Sequence, residues 1–171
     1  MFEKLKRRSL QRQTEKNLFK RDFSQRNNSL KTMGFLVDEK ITKDYEDLYS
    51  FAKRLNIQTK DVKIFFFEEV KKKTPTLQQN MLSNKDFSFT GELLNQNAKE
   101  FLDIPFDVLV GYYSGKNEFL DLMVSASNSK FKVGVKGSDK RLFDLIIDIE
   151  PQQFQKFNDE LKKYLKILNK I

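Results

Sequence analysis

Phe106-Asp107-Val108-Leu109-Val110-Gly111 and, further on, Phe143-Asp144-Leu145-Ile146-Ile147-Asp148 are the stretches that decide the fold. Between them, Phe131-Lys132-Val133-Gly134-Val135 reads as a third run of the same kind. Each is short, continuous in apolar residues and rich in β-branched or aromatic types. A strand with one wet face alternates apolar and polar residues. These runs do not, so they read as strands covered on both faces, the habit of a parallel sheet.

Outward from these runs, strand and helix patterns alternate. Met33 to Val37 is a first strand ending at Asp38-Glu39, and Val62 to Phe67 a second, closing on Glu68-Glu69. Between them, residues 44–55 place Tyr45, Leu48, Tyr49, Ala52 and Leu55 on one side of a helix. Lys71-Lys72-Lys73-Thr74-Pro75 reads as a loop, followed by an irregular segment around Leu77 to Leu82. Asp86-Phe87-Ser88-Phe89 is then expected as a short strand stopped by Thr90-Gly91. Ala98 to Leu102 is a short helix, and Pro105 forces extended backbone ahead of the Phe106 run. Residues 118–127 form a helix, and Gly137-Ser138-Asp139 a turn. A long closing helix with Pro151 at its first position has Phe154, Phe157, Leu161, Tyr164, Leu165 and Leu168 along one side. Strands separated by helices imply right-handed crossovers, hence a three-layer α/β sandwich over residues 32–171 with a mostly parallel sheet of five to six strands.

Composition closes many chemistries. The 171 residues include no Cys and no His. Disulfides, thiolate catalysis and zinc–thiolate sites are excluded, as are the commonest neutral-pH base and transition-metal ligand. Carboxylates with Mg²⁺ or Ca²⁺, or a lysine of lowered pKa, alone or activating a serine, remain. Neither a secretory signal nor a run of membrane-spanning length is legible, so a cytoplasmic location is expected. No catalytic residue, metal site or cofactor is indicated.

The net charge of +8 is unevenly placed. Residues 1–32 carry ten cations against three anions, and the rest of the chain is near neutral. Residues 1–31 contain no Pro or Gly, and their apolar residues are too sparse for a broad stripe. They read as a basic helical N-terminal arm, mostly solvated, lying on the domain or on a partner. Such an arm is expected to be separable, so that deleting residues 2–26 leaves the melting temperature nearly unchanged.

Phe106-Asp107-Val108-Leu109-Val110, Ala126 to Lys130 leading into Phe131-Lys132-Val133-Gly134, and Phe143-Asp144-Leu145-Ile146-Ile147 together resemble a short uncharacterised bacterial family of unknown function, from about Thr32 to the end. The resemblance implies a Rossmann-like domain and no activity; the sandwich is Rossmann-like or flavodoxin-like. Residues 106–135 also look like part of the N-terminal half of heptosyltransferases. There is no second such half here, and Gly111 stands where those enzymes usually carry an acidic residue, so glycosyl transfer is not implied. The strand-end carboxylates Asp38, Glu39, Glu68 and Glu69 with Lys136 are similar to the pocket of response-regulator receivers. That family needs a phospho-accepting Asp after its third strand, where Phe89-Thr90-Gly91 follows here.

Two sets of residues are candidate sites. Lys4, Lys6, Arg7, Arg8, Arg12, Lys20, Arg21 and Arg26, interleaved with Phe2, Phe19, Phe23 and several amide side chains, suit contact with a nucleic-acid backbone supported by stacking. Five to seven neutralised phosphates would give a log–log salt slope of about −4 to −6. Gly111, Ser114, Gly115 and Lys116, with Lys136, Lys140 and Arg141, form a candidate anion-binding set. The expected function is a non-catalytic RNA-binding protein whose expected partner is RNA, in a ribosomal particle. The alternatives are a small enzyme or sensor binding Mg²⁺ or a phosphorylated ligand at the strand-end edge, and a peripheral adaptor at an anionic membrane surface through Met1, Phe2 and Leu5.

Overall fold

A computed structural model describes residues 1–74 and 78–171. Its centre is one sheet of six parallel strands: β1 (Met33–Asp38), β2 (Val62–Glu68), β3 (Met81–Ser83), β4 (Val108–Tyr112), β5 (Lys132–Val135) and β6 (Leu145–Ile147). The order is β3-β2-β1-β4-β5-β6, and all five pairings are parallel. This is the doubly wound Rossmann-like order, with its reversal between β1 and β4, and not the flavodoxin-like one.

The two-residue period of each strand divides the core into two layers. Phe35, Val37, Ile64, Phe66, Val108, Val110, Val133 and Ile147 face α2 (Tyr45–Arg54) and α5 (Phe154–Ile167). Leu36, Phe65, Phe67 and Leu109 face α3 (Gln96–Asp103) and α4 (Glu118–Ala126). On this second face Gly111 and Gly134 lie under the ring of Phe143, where a Cβ on either would come within 2.9 Å of it. Gly111 is therefore sheet interior, and the aromatic ring takes the space its missing side chain leaves.

Helix α1 (Phe2–Lys20) lies outside this face, along α4. The reason is in α4, whose residues 119–125 are all buried. A helix that is apolar on both sides needs cover on both; the sheet takes one side and α1 the other. Leu10, on the inner side of α1, is fully buried, and Gly91, at φ +82°, lets its loop approach to where a Cβ would stand 2.9 Å from the Ser9 carbonyl group. The arm is helical, mostly exposed and lies on the domain, one of the two placements expected; its contacts with α4 bear on separability, since deleting residues 2–26 would strip the cover from α4 and is now expected to lower the melting temperature. At the other end, Lys170 Nζ donates to the carbonyls of Arg26 and Asn28, 2.6 and 3.0 Å away, and fastens the α1–β1 connection to the C-terminus.

Three local expectations are also corrected. The third strand is Met81–Ser83, at the end of the segment read as irregular, and Asp86-Phe87-Ser88-Phe89 is no strand. Asn84–Asp86 is a 3-10 turn closed by reciprocal capping between Ser83 and Asp86, and Phe87 makes a single antiparallel bridge to Leu93. Pro151 stands in a turn, where its carbonyl accepts from the buried Tyr112 hydroxyl, and α5 starts only at Phe154. Pro75 and Leu77, each part of a segment read above, lie outside the described residues.

Candidate nucleic-acid interface

Helix α1 sorts its cations onto two sides. On the inner side Lys6 Nζ donates to the Asn84 carbonyl at 2.7 Å. Arg7 reaches both Glu118, at 2.8 Å, and Glu69, at 2.6 Å, with its guanidinium 5.0 Å from the centre of the Phe119 ring. Asn17 donates to the Ser125 hydroxyl at 3.0 Å. Just past the helix, Arg21 pairs with Asp144, both almost fully buried. The docking face is thus mostly polar, with Leu10 as its apolar anchor. Burial lowers the pKa of Lys6.

On the outer side Lys4, Arg8, Arg12, Lys16 and Lys20 repeat every fourth residue, and all are exposed. Successive members of such a row stand about 5–6 Å apart, and the row covers about 24 Å of helix. Among the described residues none of the five has a hydrogen-bond or ion-pair partner in the protein. Each like-charged i, i+4 pair costs a helix about 0.2–0.5 kcal/mol, so the row costs on the order of 1–2 kcal/mol with no internal offset. Lys16 was not among the expected site residues, although the four-residue repeat that includes it is visible in the sequence. Arg26 lies over the Phe23 ring, 5.6 Å from its centre, with Arg21 4.6 Å from the same ring. Phe2 rests against Phe89 with 5.9 Å between ring centres, while Phe19 is 90% exposed.

The candidate anion-binding set does not assemble into an anion cradle. Ser114 is exposed, and the turn at Gly115, φ +66°, lies beside Gly137, where a Cβ on Gly137 would stand 3.8 Å from the Gly115 backbone. Asn117 uses its side-chain oxygen to cap α4 through the Phe119 and Leu120 amides, 3.1 Å each, so the loop is an ordinary strand-to-helix connection. Lys136 pairs with Glu150, Arg141 with Asp139 and Glu15, and Lys140 is exposed. The adjoining cavity, about 330 Å³, is lined by Lys116 and Arg141 but also by Glu15, Glu118, Asp121 and Asp139, a surplus of negative charge. Asp121 there accepts from the buried Tyr113 hydroxyl at 2.6 Å; burial, reinforced by Asp139 and Glu118, pushes its pKa up to about 6.

At the ends of β1 and β2, burial raises the Asp38 pKa. Burial and a hydrogen bond with Glu39 raise that of Glu68, whereas the hydrogen bond from Lys43 lowers that of Glu39. Among the described residues no three Asp or Glu side chains gather into a group that could hold a metal ion. None of their helices is long and apolar enough to cross a membrane.

Fold and surface together define a Rossmann-like α/β protein with a docked helix that turns an unpaired cationic row outward. The chain belongs to a family of unknown function, DUF6913, whose model matches residues 6–168 and so takes in most of α1. Comparison with curated proteins and with solved structures gives no match.

Proposed function

We propose that this is a non-catalytic RNA-binding protein that grips phosphate backbone with the outer face of α1, and that ribosomal particles, as the most abundant structured RNA, are its cellular partner. The observation that supports this reading is the row Lys4, Arg8, Arg12, Lys16 and Lys20: five exposed cations at four-residue spacing, winding through about 160° of the outer side of α1, costly to the helix and without partners among the described residues. Backbone contacts of this kind give affinity without sequence choice. The exposed Phe19 ring beside the row offers a base a stacking surface.

The test is fluorescence anisotropy with labelled RNA of mixed sequence. Neutralising five phosphates gives a log K against log salt slope of about −3.5 to −4.5. Replacing the five cations by Gln flattens that slope towards zero, leaves the circular-dichroism spectrum intact and, by removing the like-charge cost, raises the melting temperature by a few degrees. Binding that survives the five substitutions sinks the proposal.

A second reading has an observation of its own. Met1, Phe2 and Leu5 are all exposed, with Phe89 beside Phe2, next to Lys4 and Arg8, a combination suited to an anionic lipid surface. Flotation with vesicles containing phosphatidylserine that is lost on F2S/L5S substitution, by a protein that fails to bind RNA, would establish it in place of the first.

A further inference from the structure

On a helix of 3.6 residues per turn, each step of four residues advances the row Lys4, Arg8, Arg12, Lys16 and Lys20 by about 40° around α1. The row therefore turns as it runs. Lys4 leaves the helix about 180° away from Gln13, whereas Lys16 and Lys20 come within about 60° and about 20° of it. Gln13 stands on the lip of a cleft of about 410 Å³ between α1, α3 and α4. The C-terminal end of the row thus borders that cleft.

The floor of the cleft is apolar: Phe87, Leu102, Leu122 and Met123 line it and are buried. Its lip is polar. Gln13 is half-buried, and among the described residues its amide has no hydrogen-bond partner. Asn17, one turn further along α1, donates through Nδ2 to the Ser125 hydroxyl. That hydroxyl gives its own hydrogen to the Leu122 carbonyl at 2.7 Å, so it can only accept from Asn17. Asn17 Oδ1 is left as an acceptor without a partner among the described residues.

On the opposite rim Glu92 and Asp103 outnumber Lys99. A phosphate is therefore repelled from the cleft itself and kept on the side of Lys16 and Lys20. The cleft suits a neutral, flat group with apolar faces and a polar edge.

We propose that the cleft receives one unstacked base of a single-stranded RNA whose backbone lies on Lys16 and Lys20. This rests on the function proposed above and adds to it the form of RNA that fits. In an A-form duplex the bases are paired and the major groove is too deep and narrow for side chains to read, whereas a single strand can splay a base out. A glutamine amide pairs bidentately with adenine, so adenine is the base expected at Gln13.

The test uses the full chain and fluorescence anisotropy with labelled strands of equal length: oligoadenylate, the same ribose–phosphate backbone without bases, and oligoadenylate annealed to oligouridylate. Q13A removes the amide. A126L puts a larger side chain at an exposed position of the lining and narrows the cleft without touching a cation. Oligoadenylate is expected to bind about tenfold tighter than the abasic strand. Either variant should bring it towards the abasic value at an unchanged salt slope, and leave duplex affinity unaltered. An abasic strand that binds as well as oligoadenylate, with both lost when the five cations are replaced by Gln, leaves the row standing and overturns the base site. Oligoadenylate binding indifferent to both Q13A and A126L overturns it too, as does a duplex weakened equally by A126L. If oligoadenylate binding survives the five Gln substitutions but not A126L, the α1 grip falls and the base site stands. A native chain that binds none of the strands overturns both.

Discussion

Replacing Lys132 by Met should change how stability depends on pH. Lys132 is 1% exposed in β5, on the sheet face beneath α4, and burial, with the charge of Arg21 adding and that of Asp144 opposing, brings its pKa from 10.5 to about 7. The folded pKa lies below the unfolded one, so between these values the unfolded chain holds the extra proton and raising the pH stabilises the fold. The slope approaches about 1.4 kcal/mol per pH unit inside that window, which amounts to about 2 kcal/mol between pH 7 and pH 9. Lys6 and Lys170, lowered by their own burial, act in the same direction. The buried Tyr113 phenol, raised well above 10 by burial and by Asp121, brings its cost only at more alkaline pH. Urea unfolding at pH 7 and pH 9 measures the increment in the native protein and in K132M. The variant should lose about 2 kcal/mol of it. Equal increments in the two proteins would mean that Lys132 titrates near its ordinary value and that its burial is relieved by solvent.

Two further substitutions probe the framework. Asp107 accepts from the Lys31 and Thr32 amides, both 3.0 Å, and from Lys130 Nζ at 2.9 Å, contacts that outweigh the cost of its burial and hold its pKa below the ordinary carboxylate value. Asp107→Asn should cost about 2–4 kcal/mol in urea unfolding at pH 7, and a loss under 1 kcal/mol would show the network to be dispensable. Gly91→Ala forces a Cβ onto the Ser9 backbone at positive φ, and about 1–3 kcal/mol of strain is expected to appear as loss of α1 docking. Hydrogen exchange should then accelerate in residues 2–20 and not in β1 or β4; uniform protection in both would refute that contact.

The sheet was legible because Val108-Leu109-Val110 and Leu145-Ile146-Ile147 have no wet face, which only a covered strand permits. The third strand was misplaced for a physical reason. Asp86-Phe87-Ser88-Phe89 alternates like a strand, yet Phe87 is buried against Phe119 through a turn. Met81–Ser83, three residues at the sheet edge, is too short to show a period. That α1 would lie on the domain or on a partner was legible, but the face that docks was not, because it is Lys6, Arg7, Asn17 and Arg21, polar residues whose partners lie far along the chain. The signal was in α4, where Phe119-Leu120-Asp121-Leu122-Met123-Val124 leaves no side for water. The cationic row is plain in the first twenty residues, but which cations are free is not. Nor is the cleft, which joins Gln13 to Leu122 and Met123 across more than a hundred residues.

Both sides of α1 are electrostatic, and they differ in how they respond to salt. Exposed charges beyond a Debye length, about 8 Å at physiological ionic strength, are screened, while buried pairs are screened much less. Arg21–Asp144 is buried and Glu118 of the Arg7 pair is mostly so, whereas Lys4, Arg8, Arg12, Lys16 and Lys20 face water. Added salt should therefore release RNA from the outer row while the inner contacts still hold the helix on α4. A steep salt slope reports phosphate contact only if α1 stays docked over the same range, which exchange protection at the Leu10 amide can follow. If protection and RNA affinity fall together, the slope measures undocking of the helix, and the number of phosphates read from it has no meaning.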